Sequence, residues 1–253
     1  GAAKEQGVTR LAYTREHWAA NELFIRVCRE EGLSVTIDAC GNVIARREGA
    51  DPSLPAVACG SHLDTVQQGG RYDGALGVAA GVEVIRSLNE RGIVTRHPIE
   101  IISFACEESA RFGVSTIGSK AMAGLIDKES LRGLTDLGGV SFAQALAERS
   151  LDFERIDAAA RRPEELKVFL ELHIEQGPVL ENSGRQVGIA TGIAAPTRLE
   201  MKIQGKASHS GTTPMNMRKD ALIGAAEVIT RLEEAALAEA SRGTVATEGV
   251  CEV

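Results

Sequence analysis

No uninterrupted apolar run in these 253 residues approaches the roughly 18 that a membrane-spanning helix needs, so no such segment is expected. Gly1 to Arg10 has neither a basic start nor an apolar centre, and a secretory leader is not expected either. Blocks rich in Lys and Arg are also missing. The 28 Lys and Arg are outnumbered by 35 Asp and Glu, for a formal net charge of -7. A nucleic-acid partner, which demands clustered cations, is therefore set aside. The 5 cysteines, Cys28, Cys40, Cys59, Cys106 and Cys251, are odd in number and scattered, with no C-x-x-C pair to suggest a zinc knuckle or a redox motif. That usage points to reducing cytosol and a cytoplasmic protein. Cys106 ends an apolar run beside two glutamates, which would raise a thiol pKa, so it reads as a buried structural residue rather than a nucleophile. Internal repeats and low-complexity tracts are absent.

What is present is the ordinary profile of a globular protein, 43% apolar and 25% charged. At roughly 150 residues per domain, the length allows one or two domains. Thr14 before Arg15 to Glu31, with Glu16 in the first turn and Gly32 behind, spells a capped helix whose apolar stripe is Trp18, Ile25 and Cys28. Short β-type runs follow at Ser34 to Ile37, Asn42 to Ala45 and Ala56 to Cys59. Ala75, Val78, Ala79, Val82, Ile85 and Leu88 recur at helical spacing until Gly92. Ile99 to Cys106 and Val168 to Leu172 read as two further strands. Strands alternating with helices predict an α/β fold with ligands at the carboxyl ends of the strands. Beyond Ala194 the character changes. Leu199, Met201 and Ile203 alternate as in a half-exposed strand, Lys206 to Pro214 reads as a polar loop, Asp220 opens a long Ala-rich helix, and Thr244 to Val253 reads as another strand. These elements are expected to begin a second, sheet-plus-helix domain.

Three strand ends carry the chemistry-bearing residues: His62 after Ala56 to Cys59, Glu107 and Glu108 after Ile99 to Cys106, and His173 after Val168 to Leu172. Asp73 adds a carboxylate from the glycine-rich stretch Gly69 to Gly74. Imidazole and carboxylate together suit zinc, manganese or cobalt better than magnesium or calcium. Asp64 stands two residues past His62, so in extended backbone it shares a face with it and can accept the ring N–H that a metal leaves unused. Adjacent glutamates point in different directions, so one can bind metal while the other works as a general base. Taken singly, each feature is weak. Strand ends of one parallel sheet converge, however, and His62, Glu108 and His173 are expected to be neighbours.

The segments Gly60-Ser61-His62-Leu63-Asp64-Thr65-Val66, Gly70-Arg71-Tyr72-Asp73-Gly74, Glu107-Glu108-Ser109-Ala110-Arg111-Phe112, Leu172-His173-Ile174-Glu175-Gln176-Gly177 and His209-Ser210-Gly211-Thr212-Thr213-Pro214-Met215 resemble the hydantoinase/carbamoylase family of two-metal amidohydrolases. The resemblance runs in order over nearly the whole chain. It implies a metallo-exopeptidase-like fold, a mixed, largely parallel sheet flanked by helices over residues 1–195. Residues 196–253 would form the first part of a smaller α+β lid or dimerisation domain. It implies two divalent metal ions, zinc first and manganese or cobalt as alternatives. His62, Asp73, Glu108 and His173 would be metal ligands, with Asp73 bridging. Glu107 would be the general base, Asp64 the orienter of His62, and Gln176 a substrate contact. His209 would reach the site of a neighbouring subunit in a homodimer and stabilise the oxyanion. Ser109 departs from the glycine that relatives often carry there.

The family also draws a metal-ligand histidine from a later part of its catalytic domain, whereas all 5 histidines here lie at or before His209. The stretch is accordingly expected to be part of a longer polypeptide, inactive alone. The expected reaction is hydrolysis of the ureido C–N bond of an N-carbamoyl-L-amino acid, a reading favoured by the resemblance of Ile117-Gly118-Ser119-Lys120-Ala121-Met122-Ala123-Gly124 to the carbamoylase branch. Allantoate, ureidoglycolate or β-ureidopropionate hydrolysis is the alternative. An aminoacylase or dipeptidase is more distant, and a metal-free binding module more distant still.

Overall fold

The computed structural model describes residues 2–3, 6–195 and 197–252. They divide into two compact units, Gly1–Val187 and Gly188–Val253; the sequence reading drew its boundary at 195/196.

In the first unit, β1 (Ala2–Ala3) and β2 (Gln6–Val8) form a small antiparallel pair ahead of helix α1 (Arg15–Glu30). Thr14 caps α1 from extended backbone, its hydroxyl accepting the His17 N–H at 3.3 Å. The buried face of α1 is His17, Asn21, Phe24 and Cys28, not the expected stripe, for Trp18 and Ile25 are only half-buried. Two polar residues can sit inside because they have partners. His17 Nδ1 accepts the Tyr13 N–H at 3.0 Å, its Nε2 lies 3.3 Å from the Asn21 amide, and that amide meets Ser103 Oγ at 3.1 Å.

The main sheet has the order β3-β4-β6-β5-β7, with β3 at Ser34–Ile37, β4 at Val43–Arg47, β5 at Ala56–His62, β6 at Ile99–Phe104 and β7 at Leu166–Leu170. Strand β4 runs antiparallel to both β3 and β6, whereas β5 runs parallel to β6 and to β7. The expected α/β fold with a mixed sheet holds, but parallel pairing does not predominate, since β4 runs antiparallel to both its neighbours and two of the four pairings are antiparallel.

Helix α2 (Ala75–Glu90) buries Gly77, Val78, Gly81 and Ile85 and packs on β5 and β6. Ile85 and Ile101 are wholly buried in the core that α1, α2 and the sheet enclose with Phe24, Cys28 and Val43. Full burial of such side chains contributes about 1.5–3 kcal/mol each.

A second core lies under α3 (Ile117–Met122), α4 (Lys128–Arg132), α5 (Phe142–Ala147) and the 3-10 turn Phe153–Ala159. Phe142 is its hub, meeting Tyr13, Phe112 and Phe153 edge-on at centroid distances of 5.7, 5.2 and 6.1 Å. The unit ends with the short α6 (Val179–Asn182).

The second unit contains α7 (Ala221–Ala238), capped by the Asp220 carboxylate, which accepts the Leu222 and Ile223 N–H groups. The strands expected at Leu199 to Ile203 and from Thr244 onward are not formed among the described residues, and Val253 lies outside them. An alternating pattern becomes a strand only when a ladder partner is present, and the described residues of this unit offer only the isolated Lys206–Lys219 bridge. No helix among the described residues is long and apolar enough to cross a membrane.

Burial lowers the pKa of His17 to about 3, against an ordinary value of 6.5. The unfolded chain therefore binds the extra proton first, and stability present above pH 6.5 is lost progressively as the pH falls toward 3. Denaturant unfolding of the protein at pH 7 and pH 5 should show a loss of about 2 kcal/mol attributable to this group. His17→Gln should flatten that dependence, and an equal pH slope in the variant would refute the assignment.

Candidate metal centre

Because β5 lies between two parallel neighbours, three chain segments leave the sheet on the same side. His62 is the last residue of β5, Glu107 and Glu108 follow β6, and His173 follows β7. Asp73 reaches the same place from the N-terminus of α2. One donor atom from each of His62, Asp73 and His173 lies within 4.8 Å of the others, and so do donor atoms of His62, Glu107 and Glu108. Of the expected neighbours, His62 thus stands beside both Glu108 and His173, which fall in separate groups that share it. The two imidazoles stack with their centroids 6.0 Å apart and their planes 28° from parallel.

Each imidazole is turned by a main-chain carbonyl. His62 Nδ1 donates to the Asp64 carbonyl at 2.9 Å, and His173 Nδ1 donates to the Ile174 carbonyl at 2.9 Å. In the neutral rings both Nε2 atoms are therefore acceptors, and they face Asp73 Oδ1 at 3.7 and 3.1 Å. Asp73 Oδ1 is buried and has no hydrogen-bond partner. Its companion Oδ2 accepts the Gln176 amide at 2.8 Å.

Asp64 does not accept the His62 ring N–H through its carboxylate, which lies 3.7 Å away. Strand β5 ends at His62, so ladder pairing no longer fixes which way Asp64 faces, and its carbonyl takes the ring hydrogen. The carboxylate instead accepts the N–H groups of Glu107 at 3.3 Å and Glu108 at 2.9 Å. One buried residue thereby fixes both His62 and the glutamate pair.

The centre carries an excess of negative charge. Burial raises the Asp64 carboxyl to about 6, against the pull of His62 and its two N–H partners. Burial also raises the Glu108 carboxyl, opposed by His62 and reinforced by Glu107, Asp73 and Asp64. Burial works against protonation of His62, but Asp64, Glu107 and Glu108 outweigh it and its pKa rises. Cys106 is buried, and burial pushes its thiol well up, in keeping with a structural cysteine.

The family model for peptidase family M20/M25/M40 matches residues 58–251. The chain belongs to that family. Within it, the likeness is to the hydantoinase/carbamoylase amidases. Such an amidase from Burkholderia ambifaria superposes with a TM-score of 0.79 at 39% identity, over 95% of this chain and 58% of that one. An N-carbamoyl-L-amino acid amidohydrolase of Geobacillus stearothermophilus is 48% identical over 236 residues, 93% of this chain and 58% of that protein. An uncharacterized hydrolase of Haemophilus influenzae is 48% identical over 96% of this chain and 59% of its own length. The chain therefore spans about three-fifths of these relatives.

In an M20-family chain the donor set invites a cation. Two imidazole lone pairs and a carboxylate oxygen without a hydrogen bond converge on one point, and two more carboxylates stand beside them. Lone pairs so arranged repel unless a proton or a metal ion lies among them, and nitrogen with oxygen donors suits a borderline divalent ion.

Gln176 is drawn to Asp73 and holds left-handed backbone at φ 54°. His209 lies in the second unit, where its Nδ1 accepts the Gly211 and Thr212 N–H groups at 3.0 and 3.2 Å. The neutral ring thus carries its hydrogen on Nε2, as a donor. The sequence reading missed Asp38 and Asn42, whose hydrogen bonds lead to the glutamate turn, although the short Asp-to-Asn spacing is a turn signature.

Gly74 precedes α2 at φ +64°, and a Cβ there would meet the His62 carbonyl oxygen at 2.5 Å and the ring at 2.6 Å. Gly74→Ala should lower stability by more than about 1 kcal/mol, the cost of left-handed backbone alone, in denaturant unfolding. It should also reduce the metal retained after dialysis, and wild-type values in both measurements would show that the close approach is unimportant.

Proposed function

We propose that the protein containing this chain is a metal-dependent amidohydrolase that hydrolyses the ureido C–N bond of N-carbamoyl-L-amino acids. The observation that carries the reading is the bare Asp73 Oδ1 facing two oriented imidazoles beside the Glu107–Glu108 pair. The 48% identity to an N-carbamoyl-L-amino acid amidohydrolase supports the choice of substrate.

His62, Asp73 and His173 would hold one divalent ion, and Asp73 with Glu108 would contribute to a second; zinc is the first choice, with manganese and cobalt compatible. Bound ions would supply Lewis acidity, polarising the carbamoyl carbonyl and lowering the pKa of water. Glu107, 3.7 Å from His62 Nε2 through its Oε2, takes the proton from the attacking water. The water oxygen bonds to the carbamoyl carbon, the C–N bond breaks, and Glu107 returns the proton to the leaving nitrogen. Decomposition of the resulting carbamic acid leaves ammonia, carbon dioxide and the amino acid as products. Asp64 keeps the carboxylates and His62 in register by the hydrogen bonds described above. Gln176 contacts the substrate from beside Asp73.

His209, with Nε2 as donor, suits stabilisation of the developing oxyanion. By family resemblance it would serve a neighbouring subunit's site in a homodimer, with residues 196–253 as the first part of the lid. The free cysteines support a cytoplasmic location.

Ammonia release by the intact, metal-loaded protein should be seen with N-carbamoyl-L-amino acids. Glu107→Gln should lower the rate by about 10²–10⁴-fold, the usual contribution of a general base, and chelation should abolish it. Preference for allantoate would move the substrate within the same chemistry. Turnover of an N-acetyl amino acid alone would replace the reading with an acylase.

A further inference from the structure

The ladder between β4 and β6 ends at Val43↔Ser103, yet the chain beyond it must still be held, because Glu107 and Glu108 follow within a few residues. The wholly buried Asn42 side chain takes over where the ladder stops. Its Oδ1 accepts the Ala105 N–H at 2.8 Å, and its Nδ2 donates to the Gly118 carbonyl at 3.0 Å and to Asp38 Oδ2 at 2.7 Å. Asp38 in turn locks the residue from behind, its Oδ1 accepting the Asn42 N–H at 2.9 Å.

Gly118 must be glycine for this to work, since a Cβ there would lie 2.2 Å from Asn42 Oδ1 and 2.4 Å from the Ala105 carbonyl oxygen. With α3 drawn in so close, three successive carbonyls of the turn are paired. Ala105 accepts from Gly118 at 2.9 Å, Cys106 from Ile117 at 3.1 Å, and Glu107 from Thr116 at 2.7 Å. Between them Cys106 is held at φ 50°, a left-handed conformation that a non-glycine residue keeps only when its surroundings force it. Asp64 grips the N–H groups of the next two residues from the other side.

We propose that Asn42 is a positioning residue for the Glu107–Glu108 pair. Its amide ties the end of β4, the strained turn at Cys106 and the start of α3 into one unit, and so sets where the two carboxylates point. The proposal rests on the metal-centre reading above but not on the identity of the substrate.

The test uses the intact protein with Asn42→Ala, which removes every side-chain contact, and Asn42→Asp, which keeps the acceptor for Ala105 but loses the donors to Gly118 and Asp38 and sets a carboxylate against both acceptors. Titration with Co(II), followed by its visible absorption, reads ligand geometry and affinity whether or not any substrate is turned over. Folded variants, checked by far-UV circular dichroism, should bind Co(II) at least tenfold more weakly in the Glu108-dependent step, within the range seen when groups that orient metal ligands are lost. The absorption spectrum should be altered in both variants. Where turnover is measurable, kcat should fall with KM little changed. A wild-type spectrum and affinity in a folded variant would overturn the proposal. So would loss of folding in both variants, which would make Asn42 a determinant of the fold and not of the carboxylates. Failure of the wild-type protein to hydrolyse ureido acids would sink the proposed reaction and leave this measurement intact.

Discussion

The parallel pairing of β5 with β6 and β7 is the constraint on which the centre depends. In an antiparallel arrangement His62 and the glutamates would leave the sheet at opposite ends, about 20 Å apart for strands of this length. Parallel pairing sends all three segments out on one side, and the register Ser61↔Ser103 and His62↔Phe104 places the end of β5 level with the end of β6. The antiparallel hairpin β3-β4 then serves a different purpose. It caps the open edge of β6 and delivers Asn42 to the point where β6 ends.

The strand-end logic was legible in the sequence because β5, β6 and β7 are each largely apolar and run into His or Glu at their carboxyl ends. His62, Glu108 and His173 could be expected as neighbours from that alone. Asp73 was legible only as a metal-type residue in a glycine stretch, and its place at the start of α2 came from the helical spacing after Gly74. Asp64 meets His62 through its carbonyl and not the expected carboxylate, since alternation holds only as far as the strand, which ends at His62.

Other features were hidden for reasons of length or polarity. Helices α3, α4 and α5 have 6, 5 and 6 residues, too few for a helical period to stand out. His17 and Asn21 occupy the inner face of α1 by hydrogen bonding to each other and to their surroundings, which a hydrophobic stripe cannot register. In the second unit, Leu199, Met201 and Ile203 have the alternation of a strand but no ladder partner among the described residues. Periodicity states which face could be buried, and only pairing decides whether a ladder forms.

The scaffold holds its metal-type side chains mostly with groups that do not compete for a cation. Both imidazoles are turned by main-chain carbonyls, and the glutamate turn is gripped through main-chain N–H and C=O groups by Asp64, Asn42 and the start of α3. Asp73 is the exception: its carboxylate accepts a hydrogen bond on Oδ2 from Gln176, which directs the bare Oδ1 toward the imidazoles. Had the carboxylates of Glu107 and Glu108 been used to brace the turn, their lone pairs would have been consumed and the negative charge partly satisfied. Bracing through the backbone leaves the repulsion in place, so that folding itself prepares a site whose remaining demand is a positive ion.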